Sequence, residues 1–527
     1  MQNNNLSLFN GVDLNDDTVK LFEFLRNKKQ AVTFDEVTLE DKPSVYHPND
    51  VMVNSFITRR ICLKGCGILS AAMDTVTEAE MALAMAKMGG MGVIHRNLSI
   101  DEQCAMVKWV RKKINYGGMI DKPITFKPTD RYSYLQKEIL DHKWTFTSFP
   151  IIDEQGKLLG LLTRDDLDFI EGSNPTLAEL MKPRFQLITT QDGTTTLEAY
   201  NIMKREKVKK LPVVNNDDVL IGMYIWNDVK RDQKQRNSFS LDNEGHFLVG
   251  AAIGLGKDDI IRAEALFNSG CKVLVLDSSH GACEPAIEQL QRLRQSFGDQ
   301  IDIIVGNIAS YQSAKYLLDS QFKPDGLKVG IGPGSICTTR SVTGHGIPQL
   351  TAIYEVYRAV KDSGYSIPII ADGGIRTSGD IVKCLAVGAS GVMLGSILAG
   401  TTESPGKTII SGGKKFKPIR GMGSRSAMEE RSGSRVRYYQ QDDKHHSTEH
   451  LTTEQKEKIV PEGVEGMVEC KGNVDKIMNE LIGGIQAGLA HSGANTISTF
   501  QNNATIWLQS TVGLIEANPH NISFSSH

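Results

Sequence analysis

A single thiol, Cys337, stands in the segment Gly330-Ile331-Gly332-Pro333-Gly334-Ser335-Ile336-Cys337-Thr338-Thr339-Arg340, directly after the short apolar run Gly326 to Val329. Glycines let backbone N–H and C=O groups approach a ligand closely, and a thiol held among them can attack an electrophilic carbon. The competing reading is a free cysteine packed beside a turn, and residues elsewhere in the chain argue against it. Asp277 closes Val273 to Leu276, Asn307 follows Ile303 to Gly306, and Asp372 closes Pro368 to Ala371. An Asp after a strand often caps the next helix, but four polar side chains on one predicted rim make a site. Ala371-Asp372-Gly373-Gly374-Ile375-Arg376 and Gly395-Ser396 add glycine turns whose N–H groups suit an anion, with Asp372 placed to accept from ribose hydroxyls. No GxGxxG stands at a strand-to-helix turn, which argues against a Rossmann domain. The twelve histidines include no HExxH, and His95 and His280 receive no catalytic role.

The elements that must position these groups are short β-branched runs alternating with helical patterns. Leu69 to Met73, Gly92 to Ile94, Phe247 to Ile253, Lys272 to Asp277, Ile301 to Gly306, Gly326 to Val329, Ile367 to Asp372 and Gly391 to Leu394 read as buried strands. About eight β/α units predict a closed parallel (β/α)8 TIM barrel, an α/β fold whose active face is the C-terminal edge of the strands. The turns after strands seven and eight are its usual phosphate corner.

The alternation breaks between about 120 and 232. Ser148 to Ile152 with Gly160 to Asp166, and Lys210 to Val214 with Gly222 to Asp228, each read as an apolar strand, a polar turn, a second strand and an acidic residue opening a helix. Such repetition predicts a separate inserted domain. The barrel domain is then 1–119 with 233–527. A third region, about 402–472, reads as a long irregular loop carrying Gly412-Gly413 and a charge-rich stretch from Glu429 to His446; a loop of that length is usually functional or disordered. Val474 to Ala490 reads as the closing helix.

At 527 residues with 40% hydrophobic content the chain can form several cores. A net charge of −3 and a pI near 6.5 give no reason to expect nucleic acid or an acidic membrane. The eight cysteines are scattered, with Cys62 and Cys66 the closest pair and no CxxC, which suits a reducing, cytoplasmic setting. No run of about 18 apolar residues predicts a membrane span. The opening MQNNNLSLFNG lacks a signal-peptide pattern, and the closing SSH is not a peroxisomal address.

Taken together these stretches resemble the IMP dehydrogenase family, with a bacterial-type pattern, over nearly the whole chain. The resemblance is carried by LSAAMDTVTEAEMA (69 to 82), VLDSSHG (275 to 281), GIGPGSICTTRSVTGHGIPQ (330 to 349), ADGGIRTSGDI (371 to 381), RGMGSRSAM (420 to 428), RYYQ (437 to 440) and PEGVEG (461 to 466). It implies NAD-dependent oxidation of IMP to XMP, the committed step towards guanine nucleotides. Cys337 would attack C2 of the hypoxanthine, hydride would leave to the nicotinamide, and the 402–472 flap would close to hydrolyse the thioimidate, a lid function. The resemblance makes Arg437 the activator of water, with Tyr438 and Thr339 assisting, although a guanidinium hardly deprotonates near neutral pH.

By the same resemblance, Glu462 meets the purine, while Ser335, Asp372, Gly373, Gly374, Gly395, Ser396, Gly421, Met422 and Gly423 hold ribose and phosphate. Asp277, Ser279, Asn307, Gly330, Ile331 and Gly332 meet NAD. A potassium ion is implied on the carbonyls of Gly332, Gly334 and Cys337, completed by Glu516, Ala517 and Asn518 of a neighbouring subunit, in a homotetramer with an octamer as the higher assembly.

The insertion is implied to be a tandem CBS (Bateman) module binding a purine nucleotide effector. Thr163 and Asp166 keep its ribose-binding pattern, while the second repeat has Ile225 in place of Ser or Thr and keeps Asp228. Two positions depart from the family pattern. Ile419 precedes RGMG where Tyr is usual, removing a hydroxyl contact to phosphate, and Asn518 stands where His is common. The nearest rival is a CBS-containing GMP reductase, whose flap typically carries Glu-Tyr where this chain has Arg437-Tyr438. A nucleotide-sensing scaffold with an inactive barrel is the rival of a different class.

Overall fold

The computed structural model describes residues 8–113, 119–121, 123–142, 144, 146–168, 170, 174–235, 238–430, 432–438 and 456–519. The Tyr439-Gln440 end of RYYQ, the charge-rich run on to His446, the opening MQNNNLS and the closing SSH lie outside them. The chain divides into two units, Met1–Arg111 with Ser238–His527, and Lys112–Asn237.

In the larger unit eight strands close into a parallel barrel: β1 (Ile68–Ser70), β2 (Met91–Ile94), β3 (Val249–Ile253), β4 (Val273–Asp277), β5 (Asp302–Ile308), β6 (Gly326–Val329), β7 (Ile369–Asp372) and β8 (Gly391–Leu394). Strand β8 pairs back onto β1 through Val392–Ile68 and Leu394–Ser70, so no edge is left. Each predicted strand appears, shifted by up to three residues at its ends. These runs are continuously apolar because helices cover them outside and side chains fill them inside. Leu69, Met91, Val93, Ala252, Val273, Val275, Ile304, Ile370 and Met393 form the interior core, all buried. Helices such as Glu284–Phe297, Gln349–Ser363 and Ser378–Ala386 supply the outer layer, and Val474–His491 closes the ring. Where β5 and β6 begin, Asp325 is fully buried; it binds Arg59 at 2.9 Å and Arg294, and accepts the Ile303 N–H at 2.8 Å.

The described part of the 402–472 region carries regular structure that its composition does not suggest. Strands β9 (Ile409–Ser411), β10 (Lys414–Arg420) and β11 (Glu465–Glu469) form an antiparallel sheet, and the helices Arg425–Glu430 and Ser432–Arg437 follow β10. Gly412 and Gly413, with φ of 57° and 79°, make the two-residue hairpin turn between β9 and β10. The buried Lys417 ammonium donates to the carbonyls of Thr401 (2.9 Å), Thr402 (3.1 Å) and Ser404 (2.6 Å), tying this sheet to the chain after β8.

The smaller unit repeats one arrangement. Helix Tyr132–Asp141 precedes the hairpin Phe149–Ile152/Leu158–Leu162 and helix Arg164–Leu167; helix Thr196–Glu206 precedes the hairpin Lys210–Val214/Leu220–Ile225 and helix Trp226–Gln235. Each half has its own core, around Leu135, Phe149 and Ile151, and around Leu211, Val213 and Tyr224.

Candidate active site

The C-terminal ends of the barrel strands open into a cleft of about 840 Å³, its mouth to solvent included. Asp277, Ser279, Asn307, Gly330, Ile331, Gly332, Gly334, Cys337, Thr339, Asp372, Gly373, Gly421, Met422, Arg437, Tyr438 and Glu462 all line it. These residues are far apart in sequence, and the barrel gathers them because each follows or ends a parallel strand or belongs to the 402–472 segment.

The loop after β6 presents the thiol. Cys337 N–H donates to the Gly334 carbonyl at 3.0 Å, a tight turn, and the residues flanking Cys337 pair with the PEGVEG stretch. Thr338 N–H donates to Glu462 O at 3.0 Å, and Val464 N–H donates to Ile336 O at 2.9 Å. This pairing brings three side chains into line. The Cys337 thiol donates to Thr339 Oγ1 at 3.2 Å, and the Thr339 hydroxyl donates to Glu462 Oε2 at 2.8 Å. A sulfur, a hydroxyl and a carboxylate in series form a path along which a proton can leave the neighbourhood of the sulfur. The carbonyls of Gly332 and Cys337 accept no hydrogen bond from any described residue, so their lone pairs are free for a hard cation.

The opposite wall is charged. Arg437 forms an ion pair with Asp277, and its own carbonyl accepts the Ser279 N–H at 3.1 Å. Both the side chain and the backbone of Arg437 are therefore held on the loop after β4. The Arg437 guanidinium also lies 5.9 Å from the Tyr438 ring centre. Burial pushes the Tyr438 phenol up, partly offset by the Arg437 guanidinium, so its hydroxyl keeps its proton near neutral pH. Beneath them Asn307 donates to Gly330 O at 2.7 Å and to Asp372 Oδ2 at 2.9 Å.

Lys328 is the residue that sequence reasoning missed. It sits on β6, is 1% exposed, and its ammonium reaches Asp277 Oδ1 at 3.1 Å, Asp372 Oδ2 at 2.8 Å and Asn307 Oδ1. The available signal was a lone charge inside Gly326-Leu327-Lys328-Val329, a strand otherwise buried on both faces.

Ser335, Gly374, Gly395, Ser396 and Gly423 are outside the cleft lining, on turns beside it. Ser335 is exposed, and the Ser396 carbonyl accepts from Lys471 Nζ at 2.6 Å. Ile419 is buried and pairs with Gly466 across β10 and β11. Glu516, Ala517 and Asn518 follow or end the helix Thr511–Glu516, away from this cleft within one chain. In the smaller unit Thr163 and Asp166 form a capping box, Asp166 Oδ2 accepting from both Thr163 N–H and Oγ1–H at 2.7 Å, and Asp228 pairs with Arg231 at 3.0 Å.

A family profile described as the IMP dehydrogenase / GMP reductase domain matches residues 31–520. The chain is 41% identical over 509 residues to the inosine-5'-monophosphate dehydrogenase of Aquifex aeolicus, covering 96% of this chain and 98% of the relative. It is 40% identical over 498 residues to that of Halalkalibacterium halodurans, covering 94% and 97%. Among solved structures, GMP reductase from Trypanosoma brucei superposes with a TM-score of 0.76 at 33% identity, covering 94% of this chain and all of that one. A complex of the same enzyme with guanosine 5'-monophosphate gives 0.68 at 35% identity.

Proposed function

The chain belongs to the IMP dehydrogenase / GMP reductase family, and from that premise we propose that it oxidises IMP to XMP with NAD, by covalent catalysis at Cys337. The observation that carries this reading is the Cys337–Thr339–Glu462 series opposite Arg437, within one cleft.

The glycine turns after β7 and β8, with Ser335 and the Gly421-Met422-Gly423 stretch, hold the phosphate, and Asp372 accepts from the ribose. The Cys337 sulfur bonds to C2 of the base as its proton leaves. The hydrogen on C2 then departs with its bonding pair; NAD, bound over Asp277, Ser279, Asn307 and the Gly330–Gly332 backbone, supplies the hydride acceptor. A water adds to C2, its proton passes to protein groups, and the C2–S bond breaks to release XMP and restore the thiol. Thr339 lies against the sulfur and so against C2 in the adduct, where its hydroxyl can take the water's proton and pass one to Glu462. Arg437 acts on that water at the same place, its guanidinium supplying electrostatic stabilisation, with Tyr438 assisting beside it.

Asp277 has two claimants. Arg437 occupies it in this conformation, and the dinucleotide ribose needs it during hydride transfer. Departure of the reduced dinucleotide therefore frees the carboxylate that seats Arg437, which orders the two half-reactions in time.

The free Gly332 and Cys337 carbonyls fit a potassium ion, with Gly334 beside them and Glu516, Ala517 and Asn518 arriving from a neighbouring subunit of a homotetramer. Carbonyl oxygens suit such a cation, which would stiffen the Cys337 loop. The duplicated smaller unit suits a CBS pair for a purine nucleotide at Thr163, Asp166 and Asp228. A free catalytic thiol suits a reducing cytoplasm; among the described residues no helix is long and apolar enough to cross a membrane.

The likeness to the Trypanosoma brucei GMP reductase favours one second reading, reduction of GMP. Incubation with IMP and NAD should yield NADH and XMP, whereas GMP with NADPH should leave NADPH unchanged. The reverse pattern would replace the first reading by the second. Cys337→Ala should abolish turnover while IMP still binds; undiminished turnover would remove the covalent route.

A further inference from the structure

We propose that Lys328 is a positioning residue that couples the two halves of the cleft, aiming Asp277 towards the dinucleotide and Asp372 towards the nucleotide ribose from a single buried ammonium. The proposal rests on the ligand assignment given above for those two carboxylates. An ammonium has three N–H donors and no acceptor, and the Lys328 ammonium meets three acceptors, Asp277 Oδ1 (3.1 Å), Asp372 Oδ2 (2.8 Å) and Asn307 Oδ1. Each comes from a different strand or strand end, β4, β7 and β5, so one side chain ties four neighbouring strands together at the barrel mouth.

The sequence makes room for this brace. Gly306 pairs with Lys328 across β5 and β6, and a Cβ on Gly306 would lie 2.6 Å from Lys328 Cβ. Only glycine lets the lysine stem rise along the inside of the barrel at that height. The Lys328 side chain is 2% exposed, beside Asp277 at 4% and Asp372 at 18%. Two carboxylates held this close without a cation would repel, and one would take up a proton. The charged groups facing the ammonium are Asp277 and Asp372, with Arg437 behind Asp277.

Charge counting states the consequence. With Arg437 seated, two carboxylates face two cations. Once Arg437 leaves, Lys328 alone balances both, and one surplus negative charge remains to accept ribose hydroxyls. The brace holds both carboxylates in register through that change.

The test compares Lys328→Met and Lys328→Arg with the native enzyme, measuring KM for IMP and for NAD and the acid limb of kcat/KM against pH. Lys328→Met removes the cation, which raises the carboxylate pKa values. A group that must be ionised is then lost at higher pH, so the acid limb should move up by about one pH unit. Both KM values should rise roughly tenfold or more, the loss of charge-assisted hydrogen bonds. Lys328→Arg keeps the charge, so its acid limb should stay within a few tenths of a unit of the native position even where its KM values rise. A merely structural lysine would lower folded yield or kcat and leave both KM values and the limb where they are, overturning the proposal. An equal limb shift in Lys328→Arg would overturn it too, because charge would then not be the cause. If Lys328→Met does not fold, Lys328→Gln is measured in its place with the same expectations. Native turnover of IMP with NAD is the parallel control: if it is absent, the ligand assignment fails, whereas native activity with an unmoved limb in the variants defeats the lysine proposal alone.

Discussion

Replacing Thr339 by valine isolates the step that the Cys337–Thr339–Glu462 series serves. Valine keeps the branched shape and removes one hydroxyl. That hydroxyl is buried and has two partners, Cys337 Sγ at 3.2 Å and Glu462 Oε2 at 2.8 Å. A hydrogen bond to an ionised carboxylate contributes about 1.5–3 kcal/mol, equivalent to about ten- to two-hundred-fold in rate. A positioned proton acceptor contributes about 10²- to 10⁴-fold. The two ranges overlap near 10²-fold, which is the expected fall in steady-state kcat. Hydride transfer needs C2 bonded to sulfur and the nicotinamide in place, and it should slow far less. Rapid mixing of Thr339→Val with IMP and NAD should therefore give a burst of NADH close to one per active site, then slow release. The covalent adduct should accumulate and be visible by intact-protein mass spectrometry. Equal slowing of burst and steady state would refute the assignment to water activation, and an unchanged kcat would show that the series carries no proton.

The thiols offer a second check. Burial pushes Cys66 and Cys271 up to about 12 and Cys384 well above its ordinary value, so they stay protonated and inert near neutral pH. Iodoacetamide under those conditions should label Cys337, with IMP protecting it, and should spare these three; labelling of Cys271 ahead of Cys337 would contradict the site. A third check concerns stability. Asp325→Ala strands the largely buried Arg294 without its carboxylate, and losing one partner of a buried pair costs about 3–5 kcal/mol. Urea unfolding followed through the barrel signal should show that loss, and a change below about 1 kcal/mol would mean the network behaves like a surface pair.

The barrel was legible because its strands are apolar on both faces, so each announced itself as a short run bounded by glycine or a polar rim residue. The same pattern puts Asp277, Asn307, Cys337 and Asp372 on one edge. Other features were not legible. The sheet of β9 to β11 hides in a lysine-rich stretch whose strands are largely exposed, and an exposed strand carries no alternation to read. Only the Gly412-Gly413 turn betrays it. The pairing of the Cys337 loop with Glu462 joins segments more than a hundred residues apart, a distance that no local pattern encodes.

Lys328 escaped for a related reason. A lysine in an apolar strand reads as an interruption, and its meaning depends on carboxylates supplied by β4 and β7. Sequence reasoning finds acids at strand ends because caps and sites both want them there. It does not find the cation that keeps two of them charged side by side, because that requirement arises only when the barrel closes and brings them within reach of one ammonium. The rim acids and the lysine are one electrostatic unit. A reading of the site that names Asp277 and Asp372 without Lys328 leaves two adjacent negative charges in a largely buried cleft unexplained.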